Sequence, residues 1–395
     1  MPDRAAAGDP AGHSPLALSA PSLVLFSGDR RTARGEPGSF ADLLERLAPW
    51  WGSIDVFCPY REGASPRVLH GRVRLHPVRA GRFAAPFAYL AAARETVGGA
   101  RPDLVVSHLY GLCAGALAGD RLARERRSPH ILEIHGVPGL PVARGVRQRV
   151  EKGILAAYLR GPGRRAAAVR IVSGSELARF AARCGVPRNR TLLLPAVYLD
   201  HEVYRPGAGE AVHDVVWASR FVPGKGLERF LDAVALAARE RPSISVAVVG
   251  DGPLGEHARR RAEELGIARR VQFLGWIADA RELASIYQTS RLFVLASEHE
   301  GGPRAPIEAM ACGTPVVVTR VGLLPEVVRH GENGLFTTGS PTDLARQMLA
   351  VLADEGARRR MGEAAAAATS AFDRDRLVAR YADAYLAIAR GWTGS

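Results

Sequence analysis

The chain has 395 residues, of which 47% are hydrophobic, and a formal net charge of +13 at pH 7. This length accommodates two domains of ordinary size, each with its own core. No stretch approaches the roughly 20 apolar residues of a membrane span, and residues 1–20 lack a charged and then apolar secretory leader, so we predict a cytoplasmic protein. Residues 1–20 are rich in Ala, Pro, Gly and Asp and are predicted to be a disordered tail.

The positive charge comes almost entirely from arginine, because Lys152 and Lys225 are the only lysines. Such an excess is compatible with nucleic acid, an anionic membrane surface or an anionic substrate. Between Arg144 and Arg170, eight basic residues stand against the single acid Glu151, with apolar residues between them. This pattern predicts a basic amphipathic helix, which is either a solvated surface or a contact with a membrane or an acceptor.

Short apolar runs alternate with longer helical patterns along the whole chain, which is typical of parallel sheets covered by helices on both faces. In the first half, the predicted strands are residues 23–27, 54–57, 73–76, 104–108, 131–135 and 169–173. In the second half, they are residues 214–219, 243–250, 271–274, 292–296 and 315–319. The pattern breaks at residues 195–209, which we interpret as a linker between domains at residues 21–205 and 206–372.

Two such sheets predict a single cleft between the domains, because ligands bind beyond the carboxyl ends of parallel strands. After the first strand of the second domain, Arg220 and Lys225 lie on a loop that leads into a helix. Both cations can reach the same phosphates, and fixed positive charge stabilises a departing diphosphate more strongly than the bound substrate. The alternative is that both are ordinary surface cations.

Glu300 and Glu308 are eight residues apart in a segment that predicts a loop, a short helix and a strand. Pro306 suits the first helical position and Gly313 the end of the helix, so Glu308 is predicted to lie in the first turn. The free N–H groups there form an anion site, while the two carboxylates suit sugar hydroxyls on either side. Alternatively, Glu308 interacts only with its own helix dipole and Glu300 is a solvated loop residue.

Residues 297–318, which include Glu-Ala-Met-Ala-Cys-Gly-Thr-Pro-Val-Val, resemble the Glu-x7-Glu signature of retaining glycosyltransferases of the GT-B architecture, family 4. The loop with Arg220 and Lys225 resembles the family's Gly-Arg-Leu-x-x-x-Lys-Gly, with Ser219 in place of the glycine. This resemblance implies an acceptor-binding and a nucleotide-sugar-binding Rossmann-like domain. It also implies that a C-terminal helix at residues 373–395 returns to the first domain.

The resemblance further implies roles for individual residues. Glu300 would hold the donor sugar, Glu308 the ribose, and Arg220 and Lys225 the leaving diphosphate. His135, in Glu-Ile-His-Gly, would lie beside the donor sugar, although a lone histidine is more often structural. The remaining binding residues implied are Gly301, Gly302, Arg304 and Ala305 for sugar or phosphate, Trp276 and Ile277 for the base, and Gly38 in a first loop that otherwise departs from the family pattern.

The predicted reaction is retaining transfer of a hexosyl unit from a UDP- or GDP-sugar to a hydroxyl of a carbohydrate, lipid-linked or small-molecule acceptor, in cell-envelope or glycolipid biosynthesis. We expect no nucleic-acid partner, but a peripheral contact with the inner face of the membrane. Alternatives are an aminoglycoside-type natural-product glycosyltransferase, a non-catalytic nucleotide or polyanion binder, and a GT-B sugar-nucleotide epimerase. The basic helix favours the cell-envelope reaction over the natural-product one.

We predict neither a cofactor nor a catalytic metal. Asp373 and Asp375 have the Asp-x-Asp spacing of some metal sites, but acids are equally suited to the start of the last helix. The four cysteines have neither metal-ligand nor CxxC spacing and are predicted to be free, buried thiols.

Overall fold

The computed structural model describes residues 20–29, 31–36, 38–143 and 145–393. The predicted tail therefore lies outside the described residues except for Ala20, and Arg144 lies outside them as well. All four cysteines are free and buried, as predicted. None of the described helices combines the length and apolar composition that a bilayer crossing requires.

In the part of the chain that the structure describes, the first domain contains an eight-stranded sheet. Its strand order is β3-β4-β2-β1-β5-β6-β7-β8. Its strands are β1 Ser22–Phe26, β2 Ser53–Pro59, β3 Arg67–Leu69, β4 Val73–Val78, β5 Leu104–His108, β6 His130–Ile134, β7 Ala168–Ile171 and β8 Thr191–Leu193. Only β3 pairs antiparallel in this sheet as described. The helices between them are α1 Ser39–Leu47, α2 Ala85–Val97, α3 Ala114–Arg126, α4 Val146–Arg160 and α5 Glu176–Arg183.

The second domain has a six-stranded parallel sheet in the described chain, with order β11-β10-β9-β12-β13-β14. Its strands are β9 Val215–Ala218, β10 Val246–Val249, β11 Val271–Gly275, β12 Phe293–Leu295, β13 Val316–Thr319 and β14 Gly334–Thr337. Its helices are α6 Leu227–Glu240, α7 Gly255–Glu264, α8 Ala280–Gln288, α9 Arg304–Ala311, α10 Leu324–Val327, α11 Pro341–Ala353 and α12 Glu355–Ala368. The central strands are Val-rich and wholly buried, because helices cover both faces.

Each sheet has one point at which the strand order reverses direction, and the two points determine where ligands can bind. In the first sheet this point lies between β1 and β5, and in the second it lies between β9 and β12. The loops that leave adjacent strands at such a point diverge and form a crevice beyond their carboxyl ends. The loops after β9 and β12 are the ones that carry Arg220, Lys225 and Glu300.

The last helix, α13 Arg374–Gly391, returns to the first domain. Asp373 caps it by accepting a hydrogen bond from the backbone N–H of Arg376, which confirms that the Asp-x-Asp pair starts a helix. Tyr381 and Tyr385 are buried in the same cluster as Leu23 and Leu104 of the first sheet. The predicted return of the C-terminal helix is therefore confirmed.

The prediction of one basic helix between Arg144 and Arg170 was wrong. Helix α4 ends at Arg160, a short 3-10 turn follows at Pro162–Arg165, and Arg170 lies on β7 with 1% exposure. The spacing of apolar residues suggested a helix that continues to Arg170, but Gly161 and Pro162 end it. Three of the described strands lie outside the predicted set, and all three are short edge strands: β3, β8 and β14.

Candidate active site

A cavity of about 540 Å³, here called the cleft cavity, lies at the switch point of the second sheet. Its walls come from the loops after β9, β11 and β12 and from the start of α9. Nine of the predicted site residues line it, namely Arg220, Lys225, Trp276, Ile277, Glu300, Gly302, Arg304, Ala305 and Glu308. The structure therefore brings together residues that are up to 88 positions apart in the chain.

Lys225 and Glu300 form an ion pair across the cleft cavity. Lys225 Nζ lies 2.5 Å from Glu300 Oε1, and Ser297 Oγ donates a hydrogen bond to the same oxygen at 2.8 Å. The two side chains are 15% and 11% exposed. The carboxylate is thus held in place through one oxygen, and its second oxygen can accept a hydrogen bond from a ligand hydroxyl.

Helix α9 begins two residues earlier than the sequence predicts, and this changes the position of Glu308. Pro303 is the N-cap and Arg304 the first helical residue, so Glu308 lies in the second turn and not in the first. Pro306 has no N–H, and neither has Pro303, so the free N–H donors of this helix end belong to Arg304 and Ala305. The anion site at this helix start stays a prediction, with these two N–H groups as its donors.

Glu308 is 6% exposed and is held from two sides. Arg304 Nε donates to its Oε1 at 3.1 Å, and the hydroxyl of Tyr287 lies 3.5 Å from its Oε2. Burial, together with the charge of Glu308, raises the pKa of Tyr287 well above its ordinary value, so its hydroxyl remains a donor at neutral pH. Tyr287 and Tyr204, which also line the cleft cavity, were not predicted from the sequence.

Arg220 and Trp276 lie at the entrance of the cleft cavity. Arg220 is exposed and forms no ion pair with any residue that the structure describes. Trp276 is 54% exposed, and the guanidinium of Arg31 from the first domain lies 5.2 Å from its ring centroid. An unpaired cation and an accessible indole are groups that a phosphate and a base can each engage.

His135 lies in a second cavity of about 400 Å³, here called the histidine cavity, at the carboxyl ends of the first sheet. Its side chain is 41% exposed, and its Nε2 lies 2.7 Å from Oε2 of Glu133. The walls include Phe40, Leu109, Tyr110 and Tyr198, so the cavity offers mainly apolar and aromatic surface. Such surface suits the faces of sugar rings or a lipid-linked acceptor.

Ser39 connects the two cavities, because it lines both of them. Its hydroxyl accepts a hydrogen bond from Arg304 Nη1 at 3.1 Å, and its carbonyl accepts one from the hydroxyl of Tyr198. Gly38, the predicted first-loop residue, is the N-cap of α1 directly before Ser39 and is not itself among the lining residues. The sequence pattern contained no signal for Ser39, because its partner is 265 residues away.

Gly301 lies where the two domains touch. A β-carbon at this position would lie 1.6 Å from the carbonyl oxygen of His135, so the first domain leaves no room for a side chain. Ser175 makes a second interdomain contact, since its backbone N–H donates to Glu326 Oε1 at 2.9 Å and its hydroxyl donates to the carbonyl of Gly322 at 3.0 Å. The two cavities thus lie in one cleft between domains that touch each other.

The side chains of His108, Glu133 and His135 present ligand atoms within 4.8 Å of one another, which is a spacing that a metal ion could use. Both oxygens of Glu133 are already occupied, however, by Arg170 at 2.8 Å and by the hydroxyl of Tyr385. A buried guanidinium at this distance repels a cation. The donor set therefore fits an organic hydrogen-bond network better than a metal.

Two doubly wound sheets that face a cleft, with a C-terminal helix crossing back to the first, define the GT-B architecture. A sucrose-phosphate synthase from Thermosynechococcus elongatus has the same fold, with a TM-score of 0.79 and 21% sequence identity over 94% of this chain and 100% of that one. At this identity the likeness shows the fold alone.

Two family models cover most of the chain. The model described as "Glycosyl transferase 4-like domain" matches residues 39–196, and the model described as "Glycosyl transferases group 1" matches residues 207–368. The chain belongs to this glycosyltransferase family.

Among curated relatives, the chain is similar to a D-inositol 3-phosphate glycosyltransferase of Streptomyces bingchenggensis (strain BCW-1), with 36% identity over 188 residues. That match covers 45% of this chain and only 41% of the relative. A GDP-mannose-dependent alpha-(1-6)-phosphatidylinositol monomannoside mannosyltransferase of Mycobacterium tuberculosis (strain CDC 1551 / Oshkosh) is 29% identical over 371 residues, which are 88% of this chain and 90% of that one.

Proposed function

We propose that this protein transfers a hexosyl unit, with retention of anomeric configuration, from a UDP- or GDP-sugar to an acceptor hydroxyl. The observation that carries the proposal is the cleft cavity, in which Arg220, Lys225 and the two free N–H groups of α9 surround a space bordered by the carboxylates of Glu300 and Glu308. Cationic donors suit a diphosphate, and carboxylates suit the hydroxyls of the sugars on either side.

In this proposal, Arg220 and Lys225 stabilise the charge that develops on the diphosphate as the glycosidic bond breaks. Binding of the donor would let Lys225 share its charge between Glu300 and the phosphates, while Glu300 Oε2 accepts a hydrogen bond from a donor-sugar hydroxyl. Glu308, held deeper by Arg304, would bind the ribose. The departing phosphate oxygen would take the proton of the acceptor hydroxyl, so the scheme needs no protein nucleophile.

The test is donor turnover in Lys225→Ala and Arg220→Ala, measured as release of nucleoside diphosphate from a panel of UDP- and GDP-sugars. Lys152→Ala is the matched control, because Lys152 is the other lysine and lies outside the cleft cavity, where it donates to the carbonyl of Gly139 at 3.3 Å. We expect the two cleft variants to lose turnover and the control to retain it. Wild-type turnover in both cleft variants would remove the assignment.

Product analysis by chromatography separates transfer from the alternative chemistry of the same fold. Conversion of the nucleotide sugar into an isomer in the absence of any acceptor would indicate an epimerase. Binding of nucleotide without any turnover, or binding that collapses as salt is raised, would indicate a non-catalytic nucleotide or polyanion binder. We expect the nucleoside diphosphate to be released with a glycosylated acceptor.

We further propose that the acceptor is lipid-linked and presented at an anionic membrane. Phe83 and Phe87 are 82% and 76% exposed, and Val146 on α4 is 73% exposed. Exposed arginines adjoin both groups, at Arg82 and Arg147. These segments follow β4 and β6, at the same edge of the sheet as the histidine cavity, so apolar anchors beside cations would bring the cleft opening to the lipid surface.

Vesicle flotation tests the membrane contact. The double variant Phe83→Ser, Phe87→Ser should bind less to vesicles that contain phosphatidylglycerol, with unchanged donor turnover in solution. Vesicles of phosphatidylcholine alone should bind the wild-type protein weakly, because they lack the negative charge that the arginines complement. Equal binding of the variant and the wild type to the anionic vesicles would contradict this part of the proposal.

A further inference from the structure

A buried hydrogen-bond network connects the C-terminal helix to His135. The hydroxyl of Tyr385 on α13 donates to Glu133 Oε1, and Arg170 Nη1 donates to Glu133 Oε2 at 2.8 Å. The hydroxyl of Tyr381 accepts a hydrogen bond from Arg170 Nη2 at 2.5 Å, and the guanidinium carbon of Arg170 lies 4.2 Å from the centroid of the Tyr381 ring. The chain of contacts ends at His135, whose Nε2 lies 2.7 Å from Glu133 Oε2.

The members of this network are buried, except for His135. Glu133, Arg170, Tyr381 and Tyr385 are between 1% and 3% exposed, whereas the side chain of His135 is 41% exposed. Arg170 and Tyr381 nevertheless contribute to the wall of the histidine cavity. A perturbation inside the network can therefore reach the histidine cavity through His135 and through these two wall residues.

The charge state of the network determines which nitrogen of His135 carries the proton. Burial acts to raise the pKa of Glu133, but Arg170, His108 and His135 outweigh it, so the pKa lies well below its ordinary value and the carboxylate is ionised. An ionised carboxylate only accepts hydrogen bonds. The nitrogen that faces it, Nε2, must therefore carry a proton, so Nδ1 is an acceptor whenever the ring holds a single proton.

We propose that Tyr385, Tyr381 and Arg170 are positioning residues for His135: they hold the Glu133 carboxylate so that His135 keeps the Nε2–H tautomer and a single ring orientation. This inference rests on the proposed function for its catalytic meaning, because an Nδ1 acceptor on a residue that lines the histidine cavity can bind a hydroxyl of the donor sugar or of the acceptor. The tyrosines lie on α13, outside the two segments matched by the family models.

The experiment compares Tyr385→Phe with Tyr158→Phe in the full-length protein. Tyr158 is a matched control, because its hydroxyl is also buried and donates to a first-domain backbone carbonyl, that of Ala116, at 2.8 Å. We expect Tyr385→Phe to lower kcat on the order of 10- to 100-fold, by analogy with the loss of partners that orient metal-binding imidazoles. KM for the donor should remain unchanged, and Tyr158→Phe should retain the wild-type kcat.

Nitrogen-15 NMR of histidine-labelled protein gives a readout that does not depend on activity, with the His135 signal assigned by its loss in His135→Gln. Wild-type protein should show the Nε2–H tautomer. Glu133→Ala should give a mixture of tautomers at His135, because it removes Oε2, the acceptor that faces Nε2 and that Arg170 shares. If that variant does not fold, Tyr385→Phe carries the test, since it removes no charge, and should show a mixture of tautomers.

The outcomes separate this inference from the proposed function. An unchanged His135 spectrum in Tyr385→Phe, or an equal loss of kcat in Tyr158→Phe, would overturn the positioning role even if the protein transfers sugar. A shifted spectrum in a protein that turns over no donor would instead support the network and count against the proposed function.

Discussion

The two domains place charge differently at the cleft. In the second domain, Lys225 and Glu300 are 15% and 11% exposed and line the cavity that would receive the diphosphate. In the first domain, the side chains of Arg170 and Glu133 are 2% and 4% exposed, and the buried Tyr381 and Tyr385 hold them together with His135. An accessible ion pair can exchange one partner for a ligand, whereas a sealed pair holds a neighbouring group in place. The comparison indicates that one side binds the reacting charge and the other orients a side chain.

The largest expected effect is on stability, in the first domain. Arg170→Met leaves the Glu133 carboxylate buried without its cation, and breaking a buried pair in this way costs about 3–5 kcal/mol. We expect a corresponding fall in the urea midpoint at pH 7. The double variant Arg170→Met, Glu133→Gln should recover part of the loss, because it removes the uncompensated charge.

A slightly smaller effect is expected on turnover, in the second domain. Lys225→Ala should raise the activation free energy by about 2.7–4 kcal/mol, the range for losing one preorganised donor. Its urea midpoint should change less than that of Arg170→Met, because the unpaired Glu300 would still face the cleft cavity whereas the unpaired Glu133 would be enclosed. If Lys225→Ala instead unfolds the protein as Arg170→Met does, the proposed difference between the two pairs does not hold.

Ser297→Ala tests how firmly Glu300 must be held in the second domain. Ser297 is 1% exposed and donates to Glu300 Oε1, and a hydrogen bond to a charged group contributes about 1.5–3 kcal/mol. We expect a modest loss of stability together with weaker donor binding, since Glu300 loses one of the two groups that hold it. Isothermal calorimetry with the nucleotide sugar measures the binding, with Ser285→Ala on the surface of α8 as the control.

The smallest expected effect is a pH dependence of stability in the first domain. Burial lowers the pKa of His130 from 6.5 to about 4, against the opposing effect of Asp120, and burial lowers that of His108 to about 3, against the opposing effect of Glu133. Between these values and pH 6.5 the unfolded chain binds more protons, so stability rises with pH across this window.

Lowering the pH from 7.0 to 5.5 should therefore cost about 1 kcal/mol for each of these two imidazoles. Urea unfolding at the two pH values measures the loss. His130→Gln should reduce the pH dependence, while the surface variant His257→Asn should leave it unchanged. A midpoint that does not move between the two pH values would contradict the assignment of two buried neutral imidazoles.

The sequence predicted the second domain's side of the cleft better than the first domain's. Arg220, Lys225, Glu300 and Glu308 lie in short segments whose glycines and prolines determine the turns, so their neighbourhood could be predicted from adjacent residues. The predicted start of α9 was two residues late, because Pro306 resembles a first helical residue and the actual N-cap is Pro303. Element boundaries depend on tertiary contacts that local patterns do not contain.

Local sequence was enough to predict the succession of strands and helices, the crevice at the ends of β9 and β12, and the residue types that line it, because these follow from hydrophobic periodicity and turn chemistry within a few tens of residues. Three features could be seen only in the folded chain: the burial of Arg170, the position of Ser39 between the two cavities, and the contact of Tyr385 with Glu133 across 252 positions. Such contacts form where α13 and the first sheet pack together. Their geometry depends on that packing and not on the residues adjacent in the chain.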